Sequence, residues 1–231
     1  MNFQACPCGR LFSYIEIFTN ERKYDRITSD WKNFARGDGA MRIITGRARG
    51  ARLKAPKGMA VTRPTSDRVK EALYSILGTM VQDRMVLDVF AGTGSLGLEA
   101  LSRGATHAVF LDAATVDVLR ENITHCHFGP EAEVVAGDAF ASLARLARQG
   151  RTFDLVFCDP PYHKGLWERA LTFFDAGSLL AENAILVVEH GGDEDALPEL
   201  AELVRVDHRR YGKTTQLSFF QRKSYVGEVT L

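Results

Sequence analysis

Long apolar runs are missing from this sequence: nowhere do about 18 consecutive apolar residues occur, so no membrane-spanning helix is expected. Met1 to Arg10 contains no basic stretch followed by an apolar block, which argues against a secretory leader. Cysteine is scarce, with four in 231 residues, at positions 6, 8, 126 and 158. Cys6 and Cys8 are separated by a single residue, where zinc knuckles use about two to four, and no second pair follows. His107, His125 and His127 show no ligand spacing either, so no metal is expected. Unpaired thiols fit a reducing compartment, and the expected location is the cytoplasm. Cys158 lies within an apolar run and reads as a small core residue.

Net charge is also absent, at +0, but the zero hides a segregation. Met41 to Glu71 carries a balance of +7 and Arg205 to Lys223 one of +5, whereas Ala72 to Val204 carries −12. Basic ends on an acidic body point to a polyanion-binding rim around a centre with another task. The plainer alternative is that these Lys and Arg side chains only solvate exposed hairpins.

Three parts are expected along the chain. Residues 1–40 show no sustained period and end in the flexible run Ala35-Arg-Gly-Asp-Gly-Ala40. They read either as a poorly ordered extension or as a segment upstream of a natural start at Met41. Residues 41–80 read as a basic segment. It has a hairpin formed by Arg42 to Gly46 and Arg52 to Ala55, then an amphipathic helix over 65–77. That helix places Val69, Ala72, Leu73, Ile76 and Leu77 on one face, with Thr65 or Ser66 as N-cap and Asp67 in the first turn.

Residues 81–231 alternate. Strands are predicted at 85–90, 107–111, 133–135, 153–158 and 184–189, with helices at 96–102, 116–125, 140–148 and 166–174 between them. Apolar strands separated by helices predict an α/β fold with a parallel sheet covered on both faces. Val204 to Tyr211 and Thr215 to Arg222, around Gly212-Lys-Thr214, predict a terminal antiparallel hairpin.

The first strand runs into Phe90-Ala91-Gly92-Thr93-Gly94, and Gly97 completes a G-x-G-x-x-G pattern with Asp112 twenty residues beyond Gly92. By pattern this is a dinucleotide fingerprint, and a nicotinamide dehydrogenase is one reading. The physics is more general, because glycines admit close approach of any adenosine-bearing cofactor and an acid accepts from ribose hydroxyls. Asp88, four residues before Gly92, disfavours a pyrophosphate and attracts a cationic amino group. S-adenosylmethionine carries a sulfonium and an ammonium but no phosphate. Asp138 with Ala139 ends the third strand, where an acid can accept from an adenine amine, and Ala113 follows Asp112 on the ribose side. The alternative is that Asp88, Asp112 and Asp138 only cap the helices after them.

The fourth strand ends in Asp159-Pro160-Pro161-Tyr162. An exocyclic amine conjugated to a base is a poor nucleophile, and a carboxylate plus a fixed carbonyl accepting its two N–H groups would free its lone pair. The prolines fix φ and so hold the Pro160 carbonyl. Tyr162 offers a stacking face, worth about 1–3 kcal/mol in single-strand binders, to a base that has left its helix. The alternative is an ordinary turn with a rim aromatic.

Together these stretches resemble the bacterial 16S rRNA guanine-N2 methyltransferases, from Met41 to about Arg222. The resemblance is carried by Arg42-Ile-Ile-Thr-Gly-Arg-Ala-Arg-Gly50, Thr62 to Tyr74 (with Arg-Pro-Thr-Ser-Asp-Arg-Val), Leu87 to Gly104, Asp159 to Tyr162 and Tyr211-Gly-Lys-Thr214. Residues 1–40 have no counterpart, and Ala113-Ala114 stands where the family often carries charge. The resemblance implies a Rossmann-like class I methyltransferase with a mostly parallel seven-stranded sheet. It implies methyl transfer from S-adenosylmethionine to N2 of a guanine in 16S rRNA or the small ribosomal subunit. It also implies that Arg42, Arg47, Arg49, Arg52, Arg63, Thr65 and Arg68 face the RNA and cover the cofactor. A monomer is expected. Two rivals remain open from the residues: a DNA adenine or cytosine N-methyltransferase using the same turn, and a non-catalytic RNA-binding module.

Overall fold

A computed structural model describes residues 41–56, 65–194 and 196–226. They fall in one compact unit that starts at Gly39, so the basic segment and the body expected as separate parts are contiguous. What the sequence led us to expect of residues 1–40 lies outside the described residues. No helix among those described is long and apolar enough to cross a membrane.

Seven strands form one sheet in the order β3-β2-β1-β4-β5-β7-β6. They are β1 (Met85–Val89), β2 (His107–Asp112), β3 (Ala132–Ala136), β4 (Phe153–Cys158), β5 (Leu180–Gly191), β6 (Leu203–Tyr211) and β7 (Thr215–Arg222). The first five pair in parallel. β7 pairs antiparallel with both β5 and β6, so it lies between them; the hairpin is legible in the sequence, but not its insertion beside β5.

Helices α1 (Thr65–Leu77), α2 (Ser95–Ser102), α3 (Val116–His125), α4 (Ala139–Arg148) and α5 (Leu166–Ala176) cover the faces, and a short α6 (Lys223–Val226) ends the described chain. The pleat sends alternate residues of β1 to opposite sides. Leu87 and Val89 join Val109, Val156, Leu186 and the α4 and α5 residues Phe140, Leu143, Trp167 and Phe174 in one buried core. On the other side Tyr74 of α1 packs on Phe157 at 5.8 Å, and Gly97 of α2 lies against Phe110. Val69, Leu73, Ile76 and Leu77 are buried as the period required, while Ala72 is half-buried. The capping side chains expected at Thr65 and Ser66 are outside those described.

The expected entry hairpin is reduced to one isolated antiparallel bridge, Arg42 to Arg52, and a turn. Its backbone finds partners elsewhere. Glu99 on α2, wholly buried, accepts from Ile44 N (2.7 Å) and Thr45 N (3.0 Å). Ser102 Oγ accepts from Ala48 N at 3.0 Å and donates to the Thr45 carbonyl at 2.6 Å. Gly46 has φ +88°, and a Cβ there would stand 1.8 Å from the Ser102 carbonyl oxygen. Backbone bonds still join its arms, Ile43 N to the Ala51 carbonyl at 2.9 Å and Leu53 N to the Met41 carbonyl at 2.8 Å, while the side-chain acceptors of α2 hold the segment to the body.

Arg103 (2.7 Å) and buried Lys70 (3.9 Å) neutralise Glu99. Burial pulls the Lys70 ammonium down, against the upward pull of Glu99 and then Asp67. Removing one partner from such a buried cluster leaves uncompensated charge. Glu99→Ala should therefore destabilise the protein by about 3–5 kcal/mol in urea unfolding, with the loss concentrated in hydrogen-exchange protection of residues 44–48.

Candidate active site

In this strand order the direction of winding reverses between β1 and β4, and ligands of such sheets sit outside the carboxyl ends at that point. The glycine loop leaves β1 there and the Asp-Pro-Pro-Tyr turn leaves β4. Their strands are paired, Val89 opposite Cys158, so the two motifs share one crevice.

The loop is built by its neighbours. Phe90 adopts φ +63°, a left-handed conformation a bulky side chain rarely takes. Gly92 and Gly94 follow at +58° and +82°, which only glycine adopts without strain. Ala91 N donates to the Leu111 carbonyl (2.9 Å), and Gly92 N to Asp112 Oδ2 (2.9 Å). Thr115 Oγ1 donates to the Gly92 carbonyl at 2.7 Å. Gly97 lets α2 pack against the sheet, since a Cβ there would lie 2.3 Å from Phe110.

All three acids expected at the cofactor also bind their own crossovers. Asp88 is buried and accepts from Gly97 N at 2.8 Å; it supports the loop from behind rather than standing open in the crevice. Asp112 Oδ1 accepts from Ala114 N (2.8 Å) and Thr115 N (2.5 Å). Asp138 is the N-cap of α4, accepting from Ala141 N at 2.9 Å, and remains exposed. Ala113 is exposed beside Asp112, and Ala139 is buried under Asp138. Each carboxylate keeps lone pairs beyond these bonds, as two oxygens offer about four acceptor sites. The capping alternative is thus realised in the geometry.

Asp159 opens to solvent at the mouth, Pro160 is buried and Pro161 exposed. Surrounding protein pushes the Asp159 carboxyl up, with Glu189 and then Asp88 acting the same way. Tyr162 is half-buried, and its hydroxyl donates to Glu189 Oε1 at 2.6 Å, with Thr215 Oγ1 3.4 Å away. Burial, and next Glu189, push this phenol up. His163, with φ +59°, turns the chain out of the site, its N–H held by Glu194 Oε1 at 3.0 Å.

Two residues with roles here are not singled out by the sequence. Glu189 is a lone acid closing an apolar strand, the same signal that marks Asp88 and Asp112. Asn122 carries none. It is wholly buried on α3, donates to the Thr93 and Lys54 carbonyls (2.9 and 3.1 Å), and accepts from Lys54 N (2.8 Å). It ties the glycine loop to the entry segment.

The arginines expected at the RNA are divided. Arg42 and Arg52 lie along the bridge, and Arg68 is exposed on α1. Arg63 lies outside the described residues, as does the Thr65 side chain. Arg47 and Arg49 sit at the tip, where Arg47 N donates to the carbonyl of Ser102, the last residue of α2. Since α2 starts at the glycine loop and runs back for eight residues, about 12 Å, the tip stands toward the amino end of the sheet. It therefore does not cover the crevice. There Arg47, Arg49, Arg52, His125, His127 and Phe128 line a groove of about 720 Å³. Arg47 lies 5.0 Å over Phe128 and pairs with Glu131 at 3.1 Å. Among the described residues no group of three or more His, Cys, Asp or Glu side chains is placed to hold a metal.

Burial raises Asp88 to about 7, the Gly97 N–H opposing the rise. A carboxyl raised by folding binds its proton more tightly in the native state. Its contribution to stability is therefore full below about 3.8 and lost as pH climbs to about 7. In Asp88→Asn that loss is abolished, so urea titrations should show the variant gaining on wild type between about pH 4.5 and about pH 8. Asn122→Ala should cost about 1–3 kcal/mol by leaving buried polar groups unpaired, and should weaken S-adenosylhomocysteine binding in calorimetry.

Residues 41–221 match the family described as Conserved hypothetical protein 95. The chain is 35% identical over 190 residues to Ribosomal RNA small subunit methyltransferase D of Escherichia coli strain K12, covering 81% of this chain and 93% of that one. Its counterpart of the same name in Haemophilus influenzae is 36% identical over 158 residues, 68% and 81% of the two chains. The solved structure of a hypothetical protein from Thermus thermphillus superposes with a TM-score of 0.66 at 31% identity, covering 78% of this chain and 98% of that one. Sheet order, paired motifs and these likenesses agree: the chain belongs to the Conserved hypothetical protein 95 family, together with small-subunit ribosomal RNA methyltransferases.

Proposed function

We propose that this protein methylates the exocyclic N2 of a guanine in 16S rRNA of the small ribosomal subunit. The observation that carries the reading is the Asp-Pro-Pro-Tyr turn beside the glycine loop at the point where the sheet reverses. The cofactor is S-adenosylmethionine, which supplies an electrophilic methyl on a cationic sulfur. The loop fits it: a Cβ on Gly92 would find no atom closer than 3.9 Å, leaving that face open to a ligand. No Lys or Arg occurs in 88–94, 112–115 or 136–141 to hold a phosphate. Phe90 to Gly94, Asp112 with Ala113, and Asp138 with Ala139 are the residues that would hold it.

The chain's own task is to prepare the amine. Asp159 and the Pro160 carbonyl accept its two N–H groups, withdrawing the lone pair from conjugation, while Tyr162 stacks on the base. As the new N–C bond forms, the methyl–sulfur bond would break and leave a neutral thioether; the nitrogen becomes cationic and its proton passes to Asp159 and on to water. The raised affinity of Asp159 for a proton suits an acceptor. The RNA backbone, being anionic, is held outside by the basic entry segment and α1.

Asp159→Ala should lower methyl transfer by about 10²–10³-fold while S-adenosylhomocysteine affinity is retained. The decisive assay follows label from the cofactor into small-subunit particles lacking the modification, into duplex DNA and into neither. Label confined to DNA would replace this reading with a DNA methyltransferase. RNA retention with no transfer would replace it with a binding module. Nucleoside mass spectrometry then tests whether the product is N2-methylguanosine.

A further inference from the structure

Glu189 has a place in the crevice that its strand alone does not explain. It lies on β5 one residue past Val188, which is registered with Cys158 of β4, so its neighbour across the sheet is Asp159. On its other side it is registered with Leu217 of β7. Its carboxylate takes the Tyr162 hydroxyl at 2.6 Å. A half-buried phenol needs an acceptor, but a neutral one would serve, and Thr215 Oγ1 already stands 3.4 Å away. A carboxylate beside Asp159 also brings repulsion between like charges. A charged acceptor in that position is therefore informative.

The reaction proposed above moves positive charge from the donor to the base nitrogen, next to this turn. Fixed negative charge aimed at that nitrogen favours the transition state. We infer that Glu189 is a positioning residue of the methyl-transfer site: it fixes the Tyr162 ring through the hydroxyl and holds its carboxylate beside Asp159. The catalytic contacts themselves remain with Asp159, Pro160 and Tyr162. The groups facing Asp159 are Asp88 from β1, Glu189 from β5, and Cys158 and Tyr162 from its own strand and turn. Asp193 and Glu194 lie behind the turn, on His163.

The role of Glu189 in turnover rests on the methyl-transfer reading, but its effect on Asp159 does not. Two variants separate charge from anchorage. Glu189→Gln keeps an acceptor for Tyr162 and removes the charge; Glu189→Ala removes both. In ¹³C carboxyl NMR of the protein without cofactor, Asp159 should titrate at lower pH in Glu189→Gln than in wild type. In turnover, Glu189→Gln should lower kcat about tenfold, since a weaker proton acceptor is a poorer base. It should also move the acid limb of the kcat–pH profile downward, with KM for RNA unchanged. Glu189→Ala should in addition raise KM for RNA, as the stacking ring is freed. An unmoved Asp159 titration in Glu189→Gln overturns the inference, and so does a Glu189→Gln profile that coincides with wild type. Should wild type transfer no methyl to RNA, the functional reading falls, while the NMR titration still decides what Glu189 does to Asp159.

Discussion

The parallel pairing of β1 with β4 is the constraint on which the site depends. Four registered pairs, Val86 with Leu155 through Val89 with Cys158, fix the two strand ends side by side. A slip of one residue would turn every side chain of β4 to the other face and carry Asp159 away from the glycine loop. Burial prevents the slip, because Val86, Leu87, Val89, Val156, Phe157 and Cys158 are all buried and split between two packed faces. The hydrophobic alternation that makes the core thus also sets the distance between the two halves of the crevice.

Around this frame, acids serve as fasteners. Asp88 holds α2, Asp112 holds the glycine loop and the start of α3, and Asp138 caps α4. Helix N-termini offer unsatisfied N–H groups and partial positive charge, so carboxylates are the natural partners at strand-to-helix crossovers. The result is an accumulation of negative charge at one end of the sheet. Asp159 and Glu189 add to it, and Asp159 keeps its proton more strongly than a free carboxyl, first because the surrounding protein desolvates it and then through Glu189 and Asp88.

How much of this is legible follows from the kind of interaction involved. The strands β1 to β5 and their helices are readable because their apolar runs are local, as are the two motifs, whose residues are contiguous. The hairpin of β6 and β7 is readable from its turn, but the placement of β7 beside β5 depends on buried polar contacts across the sheet. One is Gln216 Nε2 to the Gly191 carbonyl at 2.9 Å. The entry segment misleads because its strand-like residues pair with α2 and α3, through Glu99, Ser102 and Asn122. Those three sit 54 to 68 residues away from their partners, and nothing local announces them. The arginines are divided for the same reason: the path of the segment along α2 separates Arg47 and Arg49 from the crevice.

That separation gives the charge segregation a physical meaning under the proposed function. A phosphate entering the crevice would meet Asp159, Glu189 and the loop acids, with no Lys or Arg in 88–94, 112–115 or 136–141 to offset them. An uncharged base meets only acceptors for its N–H groups and an aromatic face. The acidic interior therefore discriminates between the two parts of a nucleotide, admitting the base and leaving the backbone outside. The energy to take a base out of its stack, roughly a few kcal/mol, must then come from contacts made outside the crevice. Basic surface on the entry segment, with Arg68 of α1, is suited to supply them, since phosphate contacts position a nucleic acid without regard to sequence. Charge of one sign inside and of the other sign on the rim is thus a single arrangement for presenting a base to Asp159.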